Sequence, residues 1–546
     1  MRSVIDETQQ TQQPETGVPE PERMRVANEY LASNLSATAL SIWGLLVVRD
    51  RTDEFAFSGL SFGANGAGST ADFFPRRGIR VPGPRGLRFA FYRMRVAREA
   101  LEILPAQTAV RLVYSSPDSQ GFDVALGYSQ LSRTLLARHS RLFPIHEGSS
   151  RLFVRQSGKN RMFLTVRENN VTDTVWCGVK ILAARIAALV HRKNTVLLYE
   201  KESSRYEESA AVVFEALVDG GHHDVYFLLA AEKIDSVPER YRSRVIKRFS
   251  FRHFYHFFAA RTFIGTELLA HAIELRTINR FLLQHLSAGK FGFVFLQHGV
   301  MYMVALSSTQ RSFFRSDATF PDKTRIVCSS ELEKRHFVEL AGFSPENMYV
   351  SGLPKFDHAT LDDDADRILI MPTWRPWEYN TIRTNSEKSG YFAMLRQMYE
   401  AVPDHLKDRA WILPHPLVRE SLKSTSLGTH VWAGDSFDAA LRRGRVLVTD
   451  YSSIAYDAFY RGANVVFWWK DKDECMDRYG GHLMLDEGTA FGPVCYDAAA
   501  LSDAIGSSFT EPQTPEHLRR YEQIVEFKDG HNTQRLIEMM TRDQMV

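Results

Sequence analysis

At 546 residues the chain is too long for one hydrophobic core and suits about three domains. Hydrophobic residues make up 44% and charged residues 24%, an ordinary globular composition, and a net charge of +2 argues against a dedicated nucleic-acid binder. A local basic face remains compatible with that total.

In chain order, residues 1–22 are polar, with four glutamines and Pro14, Pro19 and Pro21. They predict a disordered tail over 1–23 and carry no signal-peptide pattern. Residues 24–85 give no clear fold. Within them Gly63-Ala64-Asn65-Gly66-Ala67-Gly68 has its glycines in the wrong order for a dinucleotide fingerprint and reads as a loop. From 86 to 175, short apolar runs at 109–114, 123–128, 151–155 and 161–166, separated by turn residues, predict a small β-rich domain. No run of about 18 apolar residues predicts a spanning helix. At 176–190 the spacing of Val179, Leu182, Ile186 and Leu189 predicts a helix, read as packing between domains, with a membrane-surface helix as the alternative. The four cysteines, Cys177, Cys328, Cys475 and Cys495, fit no zinc spacing and read as reduced core thiols of a cytosolic protein.

After residue 190 the rhythm becomes strand, helix, strand. Apolar strands are predicted at 195–199, 225–229, 293–296, 325–328, 368–371, 410–413, 446–448 and 465–468, with a helix near 209–218. Repeated βα units imply parallel sheets covered by helices, and the span suits two Rossmann-like halves, 176–360 and 361–546. Ligands of such sheets bind beyond the carboxyl ends of the strands. Four polar motifs fall there: Gln297-His298-Gly299, Pro372-Thr373-Trp374-Arg375, Pro414-His415-Pro416 and Thr449-Asp450-Tyr451-Ser452-Ser453. Singly, each has a bland reading as a loop histidine, a turn or an N-cap. Together they combine hydroxyls suited to phosphate with a histidine able to accept a proton near neutral pH.

These motifs, with Ser351-Gly352-Leu353-Pro354-Lys355-Phe356-Asp357, Asp457 and Phe491-Gly492-Pro493, stand in an order that resembles the CDP-glycerol glycerophosphotransferase family of teichoic acid primases and polymerases. The resemblance covers about residues 194–530. It implies a GT-B-like α/β fold with the donor between the halves, the second half holding the nucleotide and the first the acceptor. It also implies transfer of glycerol phosphate, or a related alditol phosphate, from a CDP-alditol to a lipid-linked or polymer acceptor. The setting would be teichoic-acid-like or capsule polymer synthesis, with release of CMP. The implied catalytic residues are His298 and His415, with His298 preferred as base. The implied donor-binding residues are Gly299, Val300, Lys355, Pro372, Thr373, Arg375, Asp450, Ser452, Ser453 and Asp457. Lys355 stands where the family often has arginine, which keeps the charge but not the fork geometry.

No metal or other cofactor is expected. Asp362-Asp363-Asp364 reads as a solvated interdomain linker, and Asp471-Lys472-Asp473-Glu474 as a charged loop near the donor mouth. A lipid-linked acceptor implies a cytoplasmic enzyme held peripherally at the inner face of the membrane. The candidate contacts are the 176–190 helix and the aromatic segment 248–261, for which core packing is the competing reading. The rival function is a GT-B glycosyltransferase or epimerase using a nucleotide sugar.

Overall fold

The computed structural model describes residues 170–546 apart from 191–193, 278, 309–313, 315, 317–319, 416–417 and 435. Before residue 170 it describes the strands given below and residues 36 and 38. The readings of 1–23 and of Gly63 to Gly68 fall outside the described residues. The chain forms two compact units, residues 1–182 with 276–287, and residues 183–275 with 288–546.

The first unit is antiparallel. Its strands are β1 (Met24–Leu35), β2 (Ala39–Asp50), β3 (Ala56–Phe62), β4 (Ser69–Val81), β5 (Leu87–Ala97), β6 (Gln107–Ser116), β7 (Ser119–Ala125), β8 (Phe143–Pro144), β9 (Ser150–Gln156) and β10 (Met162–Glu168). They make one sheet in the order β1-β2-β5-β4 and another in the order β3-β6-β10-β9-β8, with β7 on β6. Residues 24–85, unreadable in the sequence, are therefore largely strand. In β5, Ala90, Tyr92, Met94 and Val96 are buried while Phe91, Arg93 and Arg95 alternate outward.

The second unit holds two parallel sheets. The first contains β11 (Thr195–Tyr199), β12 (Val225–Leu229), β13 (Val245–Lys247), β14 (Ala260–Gly265), β15 (Gly292–Phe295), β16 (Lys323–Cys328) and β17 (Met348–Val350), ordered β13-β12-β11-β14-β15-β16-β17. The second contains β18 (Arg367–Ile370), β19 (Ala410–Ile412), β20 (Gly444–Thr449), β21 (Asn464–Trp468) and β22 (Val494–Cys495), ordered β19-β18-β20-β21-β22. The helices that matter below are α1 (Val175–Leu189), α2 (Ser209–Asp219), α3 (Gly390–Glu400), α4 (Ile454–Tyr460) and α5 (Asn532–Arg542). One apolar core joins the two sheets, with Leu296 and Val300 of one in the same cluster as Leu447 and Tyr456 of the other. This is the expected α/β, GT-B-like pair of Rossmann-like halves preceded by a small β-rich region.

Each sheet changes winding direction once, between β11 and β14 in the first and between β18 and β20 in the second. Such switch points open crevices at the carboxyl ends of the strands. Helix α5, though last in sequence, packs on the first sheet. Asp357 accepts its first N–H groups from Asn532 and Thr533 at 2.9 and 2.8 Å, and Asp543 at its end pairs with Arg325 at 2.9 Å.

Three sequence expectations meet the structure here. Helix α1 forms, but Val179, Leu182, Ile186 and Leu189 face outward, while Cys177, Ile181, Ala184 and Ala188 are buried. The packing reading is therefore corrected: the small-residue face packs and the large apolar face does not. In the segment 248–261, Phe254, Phe257 and Phe258 are core residues, as the competing reading has it, while Phe251 is exposed. Asp362 and Asp364 pair with Arg442 and Arg443 at 2.8 Å each.

Candidate active site

Three strand ends of the first sheet build one side of the site. Beyond β11, the buried Glu200 carboxylate accepts the N–H groups of Glu207, Glu208 and Ala211 at 3.1, 2.9 and 3.1 Å and so caps the start of α2. Burial, reinforced by the neighbouring Glu208, pushes Glu200 up to about 8. Beyond β14, Glu267 places its carboxylate between His298 and His271, with Oε1 3.9 Å from His298 Nδ1 and Oε2 3.8 Å from His271 Nε2.

Beyond β15, the chain turns sharply at Gln297, whose φ of 60° is in the left-handed region. Such strain persists only where neighbours over-determine it. The Gln297 side chain donates to the Val327 carbonyl, and Met301 N–H donates to the buried Glu333 at 2.7 Å. Between these anchors His298 is left 46% exposed at the mouth of the crevice. Val300, by contrast, is fully buried in the core, so it can offer a donor only its backbone.

Lys355, on the turn after β17, ties the two halves together. Its ammonium donates to the His298 carbonyl at 2.8 Å and forms an ion pair with Asp457 of α4. Gly299 lies against the same helix, because a Cβ there would stand 3.2 Å from Ser453 Oγ and 3.7 Å from Asp457 Oδ2. His298, Gly299, Lys355, Ser453 and Asp457 thus converge from distant parts of the sequence. The Ser453 side chain makes no cap bond to α4, and Ser452 Oγ meets only Ile454 N at 3.5 Å. Neither hydroxyl is committed to capping, contrary to the bland reading of these serines.

The second half arranges its motifs differently. Buried Arg375 donates to Asp450 at 2.8 Å and to Asp471 at 3.0 Å. Asp450 also accepts Thr373 N–H at 2.7 Å and Thr373 Oγ1 at 2.5 Å, while Tyr451 OH donates to Asp471 at 2.8 Å. Arg375 and Asp450 therefore spend their charge on each other and pin the loops after β18, β20 and β21. Pro372 is buried beside them. His415, after β19, stacks on Trp374 with ring centres 5.1 Å apart. Burial, then the cations Lys201 and Arg205 of the first half, hold His415 down at about 4, so it is neutral at ordinary pH.

A cavity of about 740 Å³ opens between α3 and residues 468–475, which run from the end of β21 into the helix Lys472–Tyr479, and it shares Arg375 and Asp471 with this network. Neither histidine nor the serine pair lines it. Among the described residues no group of three or more His, Cys, Asp or Glu side chains is placed to hold a metal ion. The sequence reading did not single out Glu200, Glu208, Glu267, Glu333, Lys201 or Arg205. Glu200 directly follows the strand predicted at 195–199 and lies within reach of the strand-end rule, whereas Glu267 follows β14, which the sequence does not predict, and Glu208 sits at the start of α2 away from any strand end.

A family model described as CDP-glycerol:poly(glycerophosphate) glycerophosphotransferase matches residues 181–542. Among curated proteins, the minor teichoic acid biosynthesis protein GgaB of Bacillus subtilis (strain 168) is 22% identical over 359 residues. That alignment takes in 60% of this chain and 38% of GgaB, so the chain spans under two fifths of the curated relative it matches. Among solved structures, the wall teichoic acid polymerase TagF aligns at 15% identity with a TM-score of 0.49, over 67% of this chain and 93% of that one. A UDP-GlcNAc 2-epimerase of Methanocaldococcus jannaschii aligns at 10% identity with a TM-score of 0.40, over 64% and 99%.

Proposed function

The chain belongs to the CDP-glycerol:poly(glycerophosphate) glycerophosphotransferase family, and we propose that it moves glycerol phosphate, or a related alditol phosphate, from a CDP-alditol to a hydroxyl of a lipid-linked or polymer acceptor. The product belongs to teichoic-acid-like or capsule polymer synthesis. The observation that carries this reading is the convergence of His298 with Lys355, Ser453 and Asp457, a base beside cationic and hydroxyl groups suited to a phosphate.

In the proposed step the acceptor oxygen attacks the phosphorus that bears the alditol. The new P–O bond forms as the bond to the CMP oxygen breaks, and the acceptor proton passes to His298. Charge developing on the departing CMP is met by the hydroxyls of Ser452 and Ser453 and by Lys355, which is already placed and needs no reorganisation. His415, neutral and stacked on Trp374, offers an N–H to a donor oxygen and no net charge. Arg375, Asp450 and Thr373 act as the frame that holds the donor-side loops.

A lipid-linked acceptor would be met at the inner face of the membrane. No helix among the described residues is long and apolar enough to cross a membrane, so contact would be peripheral. The outward face of α1, with Trp176 at 78% and Leu189 at 79% exposure and Lys180 and Arg185 beside it, supports that reading.

Calorimetry tests the donor. CDP-glycerol should bind and UDP-GlcNAc should not. Replacing Ser452 and Ser453 with alanine should cost about 1.5–3 kcal/mol for each lost bond to a charged phosphate. Unchanged CDP-glycerol affinity in the double variant would return both serines to the structure of the turn.

A further inference from the structure

We propose that Glu267 is the positioning residue for His298: lying between His271 and His298, it holds the imidazole with its proton on Nδ1, so that Nε2 takes the acceptor proton. This deepens the reading of His298 as the base and rests on it.

Geometry places the carboxylate. Glu267 Oε1 stands 3.9 Å from His298 Nδ1 and Oε2 3.8 Å from His271 Nε2, and its side chain is only 15% exposed. The second histidine has a defined tautomer. His271 Nδ1 accepts the Glu202 N–H at 3.1 Å, so its single proton sits on Nε2 and faces Glu267. Burial holds His271 down at about 4, which keeps it a neutral donor rather than a competing cation. One oxygen of Glu267 is thereby matched to a fixed N–H, and the other is turned toward His298.

The backbone under Glu267 is equally constrained. Tyr199 OH donates to its carbonyl at 3.0 Å, and the Tyr199 ring lies so close to Gly265 that a Cβ there would be 2.5 Å from a ring carbon. On the other side Lys355 holds the His298 carbonyl at 2.8 Å. Both ends of the Glu267–His298 pair are fixed, and the half-exposed ring can close the remaining gap by rotation. Catalytic contacts are commonly long before substrate binds. The separation of 3.9 Å is thus consistent with a pair that tightens in the complex.

The charges facing the pair are Glu208 from the start of α2, Lys355 with Asp457 beyond it, and Lys201 and Arg248 near His271. Glu267 favours the imidazolium formed when the proton arrives, Glu208 does so only in the ionised form that its burial disfavours, and Lys355 opposes it. During transfer the proton stays on the imidazole, and the Glu267 carboxylate stabilises the new charge across Nδ1–H. His271 turns a neutral N–H toward that carboxylate at 3.8 Å, adding no competing charge on that side.

The test is Glu267→Gln in the full chain, read in two ways. In CMP release from CDP-glycerol, kcat should fall at least roughly tenfold with little change in KM. The acidic limb of the rate profile should move to lower pH by about one unit, because the imidazolium loses its carboxylate. In ring-nitrogen NMR of histidine-labelled protein, His298 should be the Nδ1–H tautomer in the parent and shift toward Nε2–H in the variant. Glu267→Asp, which keeps the charge but retracts it, should show both changes in smaller degree and carries the test if the glutamine variant does not fold. An unchanged limb and an unchanged tautomer overturn the proposal, whether or not activity falls. If the parent releases no CMP from CDP-glycerol, the transfer reading fails by itself, and the tautomer still decides Glu267.

Discussion

Arg375 shows how one motif residue can be legible in position and not in role. Its place after β18 follows from the sequence, but its pairing with Asp450 and Asp471 depends on β20 and β21 lying beside that strand. Removing the guanidinium leaves Asp450 buried with only neutral donors. We expect Arg375→Ala to cost about 3–5 kcal/mol in denaturant unfolding, the usual loss when one member of a buried ion pair is deleted. A cost under about 1 kcal/mol would mean that Asp450 is protonated or resolvated without it. The glutamates around His298 illustrate the opposite limit. A lone acidic residue after a strand looks like any polar loop residue, and only the fold reveals that Glu208 and Glu267 approach the same histidine.

At the scale of single elements, periodicity gave the existence of α1 but not its orientation. Both of its faces are apolar, one with Cys177, Ile181, Ala184 and Ala188, the other with Val179, Leu182, Ile186 and Leu189. A 3.6-residue period cannot choose between two such stripes. The strands before residue 86 are illegible in the sequence for a related reason. In β2, Leu40, Ile42 and Leu46 point inward, yet Trp43, Leu45 and Val47 between them are also apolar, so alternation is masked. The outward stripe of α1 yields a direct prediction. The protein should sediment with anionic vesicles at low salt and be released at high salt, since attraction to lipid charge is screened within about 10 Å at 0.1 M. Trp176→Ser with Leu189→Ser should abolish that sedimentation while leaving the unfolding midpoint little changed, because both side chains are exposed. Sedimentation by the double variant equal to the parent's would exclude α1 as the contact.

Across the whole molecule, the βα rhythm after residue 190 showed two parallel-sheet halves, because strands buried on both faces read as continuous apolar runs. The return of α5 to the first sheet was not readable, since it depends on long-range partners such as Asp357 and Arg325. Buried titratable groups set a pH profile for the entire fold. Burial lowers His253 to about 3 and His256, His271 and His415 to about 4, all from 6.5. The unfolded chain binds those protons first, so stability falls as pH drops from 6.5 toward 4. Glu200, raised from 4.5 to about 8, has the opposite sign and erodes stability as pH rises through that interval. The four histidines dominate below pH 6.5, and above it Glu200 acts with Glu208 and Glu333, which burial also raises. The melting temperature should therefore peak near pH 6.5. A melting temperature rising steadily from pH 6.5 to 8 would show that Glu200 stays ionised in the folded protein.

Mass analysis of the acceptor decides whether the protein transfers an alditol phosphate. The full chain is incubated with CDP-glycerol and a short oligo(glycerol phosphate) lipid in anionic vesicles. The acceptor should become heavier by one or more glycerol phosphate units, with one CMP released per unit. The His298→Ala protein should do this roughly 10²–10⁴ times more slowly. An acceptor left unchanged by CDP-glycerol but extended from a UDP-sugar, or full turnover by His298→Ala, would contradict it.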